Sequence, residues 1–560
     1  MFKKTDPNPQ LDIFTAPSMQ LGSRASKKYS DPNAWHNQFY SLVTTKINEE
    51  IFKPLFPEGK KCGRPNASIR ILVAMSALKE GFGCSDEDLF EKCEFDLLTR
   101  KALGMELLTD VTPSIDTYYL FRRRICEYQE RTGIDLMQLC FEQLAGNQVR
   151  LLKISGKCVR MDSKLIGSNI ARQSRYELIH TTLVKFLKTC TLSDLSPEQE
   201  ERAKEYLKED SSKTVYRSDS DMLQSNLARI GNFIMEMLAT FPATSPAHDL
   251  LQRLFDEQYA VKDGKAVLRD KKEVKADSLQ NPNDPDATYR AKNDQKVQGY
   301  VTNITETVEE GKPNIITSVQ VETAVFADCH FLQEAVENSE RVTDSTIEDL
   351  YADGAYQSPD NREFAKNHNA MQLKTGKMQG GCRWELIPHD EDGLTVREIA
   401  TGNTYEAVKA VTKQGSRKRW RIPWNNKTGW RYFEDKDIKA YQLRKQIESL
   451  PLEEQHKRNN VEAAMFQYSF HTRKGKTRYR GLLKHRMHAY SRCMWMNLRR
   501  MVIFQISTFQ RSIFALFGPI REAFGSFKAI SRKIFTSGAD CYVSLRMTTL
   551  ARLDSKYVPF

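Results

Sequence analysis

The sequence lacks the features that define several classes of protein. Its eleven cysteines include no Cys-x-x-Cys pair, which argues against a zinc ribbon or a disulfide framework and indicates a reducing compartment. Arg511 interrupts the most apolar stretch, residues 501–520, so no segment reaches the ~20 apolar residues that span a bilayer. Residues 1–20 contain no apolar signal-peptide core. The sequence therefore predicts neither export nor insertion into a membrane.

What is present is typical of a large globular protein with a polyanionic partner. The 560 residues suggest three or four structural units, and a composition of 40% hydrophobic and 28% charged residues is that of a folded chain. Lys and Arg number 84 against 72 Asp and Glu, a net charge of +12. This excess favours nucleic acid as the partner, with an acidic membrane surface as the second choice.

Residues 1–150 are predicted to form a helical N-terminal DNA-binding domain. Ser85 and Asp88 form a capping-box pattern, and a single apolar stripe precedes it at helical spacing, consisting of Ile71, Met75, Leu78 and Phe82. A further helix opens at residues 112–114 and carries three consecutive basic residues, Arg122, Arg123 and Arg124. These arginines are candidates for DNA contact, although a solvated helix face explains them equally well.

Residues 151–500 alternate strand-like and helical segments. A short apolar run contains one acid, Asp162, and residues 347–352 form a second apolar strand that ends at Asp353. A hairpin is predicted from residues 297–326, and a helical insertion from about 172–290. A carboxylate inside an apolar strand must be paired, bound to a metal or placed at an exposed end, because burying an isolated charge is very costly.

Two basic segments follow. Residues 371–445 are predicted to be a β-containing basic insertion whose candidate DNA contacts are Arg417, Arg419, Trp420, Arg421 and Trp424. The alternative is that its tryptophans lie in the core of a small β unit with charged edges. Residues 471–500 contain ten Lys or Arg and no acid, and so predict a phosphate-binding stripe that includes Arg473, Lys474, Lys476, Arg478, Arg480 and Lys484.

A late helix over residues 452–470 carries Arg458 and Glu462 one turn apart. We predict that Arg458, Glu462, Met465, Phe466 and Ser469 share one face of it. Arg458 is a candidate for orienting the Glu462 carboxylate or for touching a phosphate. A plain salt bridge between the two residues explains the spacing as well. Residues 501–560 are predicted to be an apolar, basic C-terminal tail.

This order of elements is that of a ribonuclease H-like fold, and three blocks resemble the catalytic blocks of bacterial insertion-sequence transposases of the DDE type. They are Val159-Arg160-Met161-Asp162-Ser163-Lys164, Tyr351-Ala352-Asp353-Gly354-Ala355-Tyr356 and Arg458-Asn459-Asn460-Val461-Glu462. The segments 114–124, 281–288 and 298–300 also resemble blocks of this family. The resemblance covers roughly residues 35–500.

The resemblance implies an α/β fold: a ribonuclease H-like mixed sheet core with a helical N-terminal domain and the two insertions. It implies a transposase that cuts the ends of an insertion sequence and joins the 3′-hydroxyl ends to target DNA. Asp162, Asp353 and Glu462 would hold two Mg²⁺ or Mn²⁺ ions, with Arg458 as a helper. The partners would be double-stranded DNA, as terminal inverted repeats and target, and a second copy of the chain in a homodimer or higher oligomer. The location would be the bacterial cytoplasm, at the nucleoid.

The chain departs from some relatives that carry a β-rich insertion. These have a tyrosine three residues before the arginine and a lysine seven residues after the glutamate, where this chain has Gln455 and Ser469. Lys474 or Lys476 are candidates to replace the lysine. The alternative functions are a catalytically inactive, transposase-derived DNA-binding protein and a purely hydrolytic nuclease.

Taken singly, each acid also has a structural explanation. Asp162 would end a strand, Asp353 would serve the turn at Gly354, and Glu462 would pair with Arg458.

Overall fold

The fold is taken from a computed structural model. It describes residues 2–5, 16–56, 65–242, 245–292, 295–375, 382–389, 393–410, 419–424, 429–449 and 451–523, without the side chains of 375, 424, 446, 452–460 and 509–523. The chain is mixed α/β and divides into two compact units. Unit 1 comprises residues 1–156, 163–345 and 465–560, and unit 2 comprises residues 157–162 and 346–464. Within the described ranges, no helix is both long and apolar enough to cross a bilayer.

The first eight helices precede the first strand. They are α1 Pro17–Gln20, α2 Ser23–Tyr29, α3 Trp35–Leu42, α4 Ile69–Phe82, α5 Asp86–Phe95, α6 Leu97–Leu103, α7 Ile115–Thr132 and α8 Leu136–Leu152. The side chain of Ser68 caps α4, which ends at Gly83 with a left-handed φ of 66°. The predicted capping box of Ser85 and Asp88 starts α5, and Ser114 caps α7. The predicted helical character of this region is confirmed.

The predicted helical insertion follows strand β1, Cys158–Gly167. It contains α9 Arg175–Leu187, α10 Pro197–Lys208, α11 Ser211–Arg217, α12 Ser220–Thr240 and α13 Pro246–Gln258, and then a short hairpin of β2 Tyr259–Lys262 and β3 Lys265–Leu268. These helices enclose a core of their own that includes Ile179, Leu183, Ile230, Phe233 and Leu251. The insertion therefore folds as helices because its apolar side chains recur at helical spacing. The hairpin is an addition that the sequence pattern did not indicate.

Three antiparallel strands of unit 1 come next, β4 Thr288–Lys292, β5 Gln295–Thr307 and β6 Ile316–Thr323. The predicted hairpin is confirmed, with β5 and β6 in register from Tyr300↔Thr323 to Thr305↔Ser318. The end of β1 lies beside β5, because the backbone N–H of Ser168 donates to the carbonyl of Gln298 at 3.0 Å. Helix α14, Leu332–Thr343, packs against β6.

Unit 2 contains the start of β1 and the strands β7 Asp349–Ala352 and β8 Gln372–Thr375, with helix α15, Pro359–Asn367, between them. Residues 158–160 of β1 pair in parallel with 349–351 of β7, and β7 pairs in parallel with β8. Strand β8 thus belongs to this sheet, although residue 372 falls in the predicted basic insertion. Leu350, Tyr351 and Ala352 of β7 are buried, whereas in β8 Gln372 is exposed and Leu373 is partly exposed.

The basic insertion itself is a second sheet in unit 2. Its five antiparallel strands are β9 Trp384–Pro388, β10 Leu394–Glu398, β11 Thr404–Ala410, β12 Arg419–Trp424 and β13 Gly429–Glu434. A helix, α16 Asp435–Glu448, follows and was not predicted. One face of the sheet forms an apolar core that includes Trp384, Val396, Trp420, Ile422 and Phe433.

Two late helices complete the described chain, α17 Leu452–Ser469 and α18 Leu482–Ala523. Helix α18 packs against α3, α4, α8 and β6, and Trp495 sits among the rings of Trp35, Phe39 and Phe82. The predicted tail boundary at residue 500 therefore falls inside a continuous helix, where Met501 is buried. Because α18 shares its core with the first helices, the N-terminal region lies in the same compact unit as residues 465–523.

Candidate active site

The pairing of β1 with β7 sets the relative positions of the two aspartates. Cys158, Val159 and Arg160 stand opposite Asp349, Leu350 and Tyr351. Continued by two residues, this register places Asp162 opposite Asp353, on strands about 4.8 Å apart. Both are partly exposed, whereas the residues that precede them, Met161 and Ala352, are buried. Because side chains at paired positions of parallel strands share a face, this continued register predicts that Asp162 and Asp353 project from the same face of the sheet.

Asp353 also serves the turn that follows β7. Its Oδ1 accepts the backbone N–H of Gly354 at 2.6 Å, and a 3₁₀ turn, Gly354–Tyr356, leads to Ser358, whose Oγ caps α15. This contact is the structural explanation foreseen for Asp353. It leaves the metal-ligand hypothesis open, since a carboxylate has two oxygens and about four acceptor positions.

Glu462 lies on the exposed side of α17. Val461, Ala464, Met465 and Tyr468 are buried, whereas Phe466 is exposed and Glu462 is exposed as well. The predicted common face is therefore wrong for Met465, which belongs to the packing side of the helix. The side chain of Arg458 lies outside the described residues, so its predicted role stays a prediction.

The two aspartates fit part of a divalent-cation site, because two carboxylates at one level on adjacent strands supply the oxygen ligands that Mg²⁺ and Mn²⁺ prefer. Over the described ranges, however, no three His, Cys, Asp or Glu side chains are gathered closely enough to hold a metal ion. Glu462 is thus not assembled with Asp162 and Asp353 in this structure. Its role as the third ligand stays a prediction.

Ser469 occupies the position where some relatives have a lysine, and the structure places a lysine against it. The ammonium of Lys164 donates to Ser469 Oγ at 2.7 Å and to the carbonyl of Met465 at 3.4 Å. Lys476, one of the two candidates from sequence, instead donates to the carbonyl of Ile170 at 2.6 Å. Sequence reasoning missed Lys164 because a contact across 305 residues leaves no local pattern.

The basic segment before α18 is fixed to the end of β1. The backbone N–H of Gly167 donates to Gly475 at 2.8 Å, that of Thr477 to Gly167 at 3.0 Å and that of Asn169 to Tyr479 at 3.0 Å. Five of the predicted phosphate-binding side chains are exposed on this segment and the start of α18: Arg473, Lys474, Arg478, Arg480 and Lys484. Their charges are therefore presented to solvent by an ordered backbone.

The three consecutive arginines of α7 have different surroundings. Arg122 lies between two rings, 5.4 Å from the centroid of Tyr118 and 5.1 Å from that of Tyr479. Arg123 is exposed and pairs with Glu127 at 3.5 Å. Arg124 stands over the ring of Phe56 at 6.0 Å. Arg122 thus packs α7 against the segment before α18, while Arg123 is the most accessible of the three for DNA.

The candidate DNA-contacting residues of the basic insertion lie on two different faces of its sheet. Trp420 is 4% exposed, in the core of the small sheet, which confirms the core alternative for this residue. Arg419 and Arg421 lie on the opposite face of β12, stacked on Tyr432 and Trp430 at 3.9 and 4.2 Å from the ring centroids. Arg417 and the side chain of Trp424 lie outside the described residues.

Asp284 is a buried residue whose carboxylate joins β1 to β5 through hydrogen bonds, a role that the sequence pattern did not predict. It is fully buried, it accepts the hydroxyl hydrogen of Ser168 at the end of β1, and its Oδ1 accepts that of Tyr300 on β5 at 2.6 Å. Asp286 accepts the backbone N–H of Leu482 at 3.1 Å and so begins α18. The block 281–288, which resembles a family block, therefore ties together β1, β5 and α18.

A buried polar network joins α4 to α18. His488 Nδ1 lies 2.7 Å from Glu80 Oε2, and the hydroxyl of Tyr479 donates to Glu80 as well. Burial opposes ionisation of Glu80, but the neighbouring His488 and Lys79 outweigh it and lower the pKa of its carboxyl to about 2. Burial lowers the pKa of His485, one turn earlier, to about 4. His485 Nδ1 donates to the carbonyl of Gly481 at 3.0 Å, so Nε2 accepts from Thr477.

The pKa of His485 predicts that the free energy of unfolding falls in mild acid. Between pH 6.5 and 4 the unfolded chain binds a proton at this histidine that the folded chain does not, so stability decreases as the pH falls. The loss from this group approaches about 3 kcal/mol at pH 4. Glu80 adds little slope above pH 4.5, because its stabilisation is present there and is lost as the pH falls from 4.5 towards 2.

Urea unfolding of the parent chain and His485→Gln at pH 7 and pH 5 measures this effect. Glutamine keeps a donor and an acceptor but does not titrate, so the variant should lose about 2 kcal/mol less between the two pH values. An equal pH dependence of the two proteins would contradict the assignment.

The comparisons with known proteins bear on the helical region that runs from α3 into α7. Residues 28–124 match the Transposase domain (DUF772) family. The chain therefore carries a transposase domain, which confirms the resemblance to transposases that its sequence blocks indicate. The match ends at Arg124, so it includes Glu80 and the three arginines of α7 but none of the three candidate acids. Comparisons with curated proteins and with solved structures gave no match.

Proposed function

We propose that the chain is a DNA transposase of the DDE type, which cleaves the ends of an insertion sequence and joins them to target DNA. The observation that carries the proposal is the parallel register of β1 and β7, which pairs Arg160 with Tyr351 in a chain that has a transposase domain. Continued by two residues, that register would bring Asp162 level with Asp353. The two acids are 191 positions apart in sequence. Their alignment on one face of a sheet is what a shared cation site requires.

The strand order supports a ribonuclease H-like core. In unit 1, β5 lies beside the end of β1 and β6 beside β5, while in unit 2 β7 and then β8 follow the start of β1 in parallel. Asp162 lies in the middle of β1, Cys158–Gly167, and Asp353 directly follows Ala352, the last residue of β7. Glu462, on the helix that follows the basic insertion, would supply the third carboxylate.

The chemistry is a pair of phosphoryl transfers. Asp162, Asp353 and Glu462 would hold two divalent cations, which activate the attacking oxygen and stabilise the leaving oxygen. In the first step, water forms a bond to the scissile phosphorus and the bond to the 3′ oxygen breaks, leaving a 3′-hydroxyl and a 5′-phosphate. In the second step, this hydroxyl attacks a target phosphodiester and expels its 3′ oxygen. One P–O bond forms as one breaks, so no energy source is needed.

The exposed charges of residues 473–484 would bind the phosphates of the duplex. Their backbone is held against the end of β1, the strand that carries Asp162. Each phosphate contact would release counterions, so affinity for duplex DNA should fall steeply with salt. Joining two element ends requires at least two active sites, and we therefore propose that a homodimer or a higher oligomer acts.

An assay with the parent chain and Glu462→Gln tests the proposal. The substrate is a linear duplex that ends in the terminal inverted repeats of the proposed element, incubated with a target plasmid and Mg²⁺ or Mn²⁺. The parent chain should release 3′-hydroxyl ends and join them to the plasmid. Glu462→Gln should bind the duplex but give at least about a hundredfold less of both products, because a cation ligand stabilises the transition state by several kcal/mol.

The alternatives give different products. Cleavage without joined product would indicate a hydrolytic nuclease. Binding without cleavage by the parent chain, with either metal, would indicate an inactive DNA-binding protein. A Glu462→Gln variant as active as the parent chain would remove Glu462 from the site.

A further inference from the structure

The outer face of the β9–β13 sheet carries two stacked pairs of arginine and aromatic side chains. Arg421 stands over the ring of Trp430 at 4.2 Å and Arg419 over that of Tyr432 at 3.9 Å. The register explains the pairs: Arg421 is opposite Tyr432 and Pro423 is opposite Trp430, so each guanidinium lies on the ring diagonal to it. The opposite face of the same strands is the apolar core of Trp420, Ile422 and Phe433.

This face is open to solvent, although it is rich in large apolar groups. Trp430 is 49% exposed, Tyr432 37% and Val408, on the neighbouring strand β11, 56%. Exposed aromatic groups of this size gathered on one face usually mark a binding surface. Rings with an accessible π face and a cation beside them match the faces of nucleobases linked by phosphates.

Arg421 carries a charge that the described part of the chain does not neutralise. Among the described residues, no acidic side chain forms an ion pair with Arg421, and its Nε is buried without a hydrogen-bond partner. Arg419, at the far end of the face, has Glu434 at 3.9 Å. Stacking fixes the plane of the Arg421 guanidinium, and the entropy lost on binding a phosphate is therefore small. The centre of the surface is thus Arg421, Trp430 and Tyr432.

We propose that the face formed by Arg419, Arg421, Trp430 and Tyr432 binds unpaired nucleotides of DNA, with bases stacked on the two rings and phosphates held by the guanidinium groups. Bases inside a duplex are stacked on one another and cannot offer their faces, so the site distinguishes unpaired from paired DNA. The proposal rests on the proposed transposase function for its biological substrate, the strand opened beside a cleaved end. The binding site itself is independent of the catalytic acids.

Fluorescence anisotropy with the full chain tests the proposal. The probes are a labelled oligodeoxythymidine of roughly 15 nucleotides, within the range that single-strand sites cover, and a duplex of equal length. Trp430→Ala should weaken binding of the single strand about tenfold or more, since stacking contributes ~1–3 kcal/mol per base, and should leave the duplex affinity unchanged. Val408→Ala is the matched control, because it removes an exposed apolar side chain from the same face without removing a ring.

Arg421→Gln should also weaken binding of the single strand and lower its salt dependence by about 0.7 in log–log slope, the value for one lost phosphate contact. Thermal unfolding of each variant checks that it is folded. If a variant does not fold, Tyr432→Ala is tested in its place.

Three results would overturn the proposal. The first is an unchanged affinity of Trp430→Ala for the single strand. The second is an equal loss of affinity for duplex DNA, or for an acidic peptide used as a further probe. The third is that the parent chain forms a dimer and Trp430→Ala does not, which would make this face a contact between two copies of the chain. If the parent chain cleaves no DNA but shows the expected loss with Trp430→Ala, the transposase proposal fails and the single-strand site stands.

Discussion

Asp162→Asn and Asp353→Asn should each reduce metal-dependent cleavage of element-end DNA by at least about a thousandfold while leaving duplex binding intact. Asparagine has the size of aspartate but no charge, so it removes a cation ligand without opening a cavity. A loss of about 4 kcal/mol of transition-state stabilisation corresponds to a factor of ~10³, within the several kcal/mol that a cation supplies. Rates of 3′-hydroxyl release at saturating DNA give the chemical effect, and anisotropy with the uncut duplex gives the binding.

Asp349→Asn is the matched control for this experiment. Asp349 lies at the start of β7, four residues before Asp353, and pairs with Lys374 at 2.9 Å. It is an acid of the same strand at the end away from the proposed site. Its cleavage rate should stay within about fivefold of the parent chain, since a partly exposed ion pair contributes ~1 kcal/mol or less to stability. Wild-type cleavage by Asp162→Asn would remove Asp162 from the active site.

A change of ligand type separates metal binding from other roles of Asp162. In Asp162→Cys the thiolate is a softer ligand than a carboxylate, and Mn²⁺ accepts it better than Mg²⁺ does. Activity should therefore be absent with Mg²⁺ and partly restored with Mn²⁺. If the carboxylate acted only through hydrogen bonds, both metals would give the same low activity.

Local sequence patterns predicted the elements that carry the candidate site. The apolar run around Asp162, the strand that ends at Asp353 and the capping box of Ser85 and Asp88 all correspond to observed elements, because period-2 alternation and capping chemistry act over a few residues. The parallel pairing of β1 with β7 is observed, whereas the alignment of the two aspartates stays a prediction. Local pattern therefore indicated the strands of the two aspartates, but the expectation that Asp162 would end its strand is wrong, because β1 continues to Gly167.

Contacts between segments that are distant in the sequence could not be predicted from these local patterns. Arg122 stacks on Tyr479, 357 positions away, so one arginine of the basic run is partly buried whereas its neighbour Arg123 is exposed. Trp420 and Trp430 occur in one basic stretch, yet the first is in the core and the second is exposed. Which tryptophan faces the core depends on strand register, since a shift of one residue reverses the two faces. The pairing of β12 with β13 sets that register, and it joins residues that no local pattern relates.

The second large effect concerns the stability of unit 1 at the contact between β1 and β5. Gly299→Ala should lower the free energy of unfolding by about 3 kcal/mol or more. A Cβ on Gly299 would lie 2.6 Å from the backbone nitrogen of Ser168 and closer still to the carbonyl oxygen of Ile166. Both atoms belong to backbone held by neighbouring hydrogen bonds, so relief requires the strands to separate. Urea unfolding followed by circular dichroism measures the change.

Gly22→Ala is the matched control, because a Cβ added at Gly22 would have no other atom within 4 Å and the φ of −56° there suits alanine. Its effect should stay below about 1 kcal/mol, the usual scale for a helix cap. The two variants make the same chemical change, so their difference measures the closeness of β1 and β5. A Gly299→Ala protein as stable as Gly22→Ala would show that the strands can move apart at little cost.

Separation of β1 and β5 would also disturb Ser168 and Tyr300, whose hydroxyl groups both donate to Asp284 beside this contact. Cleavage by Gly299→Ala should therefore fall at temperatures where Gly22→Ala is still fully active.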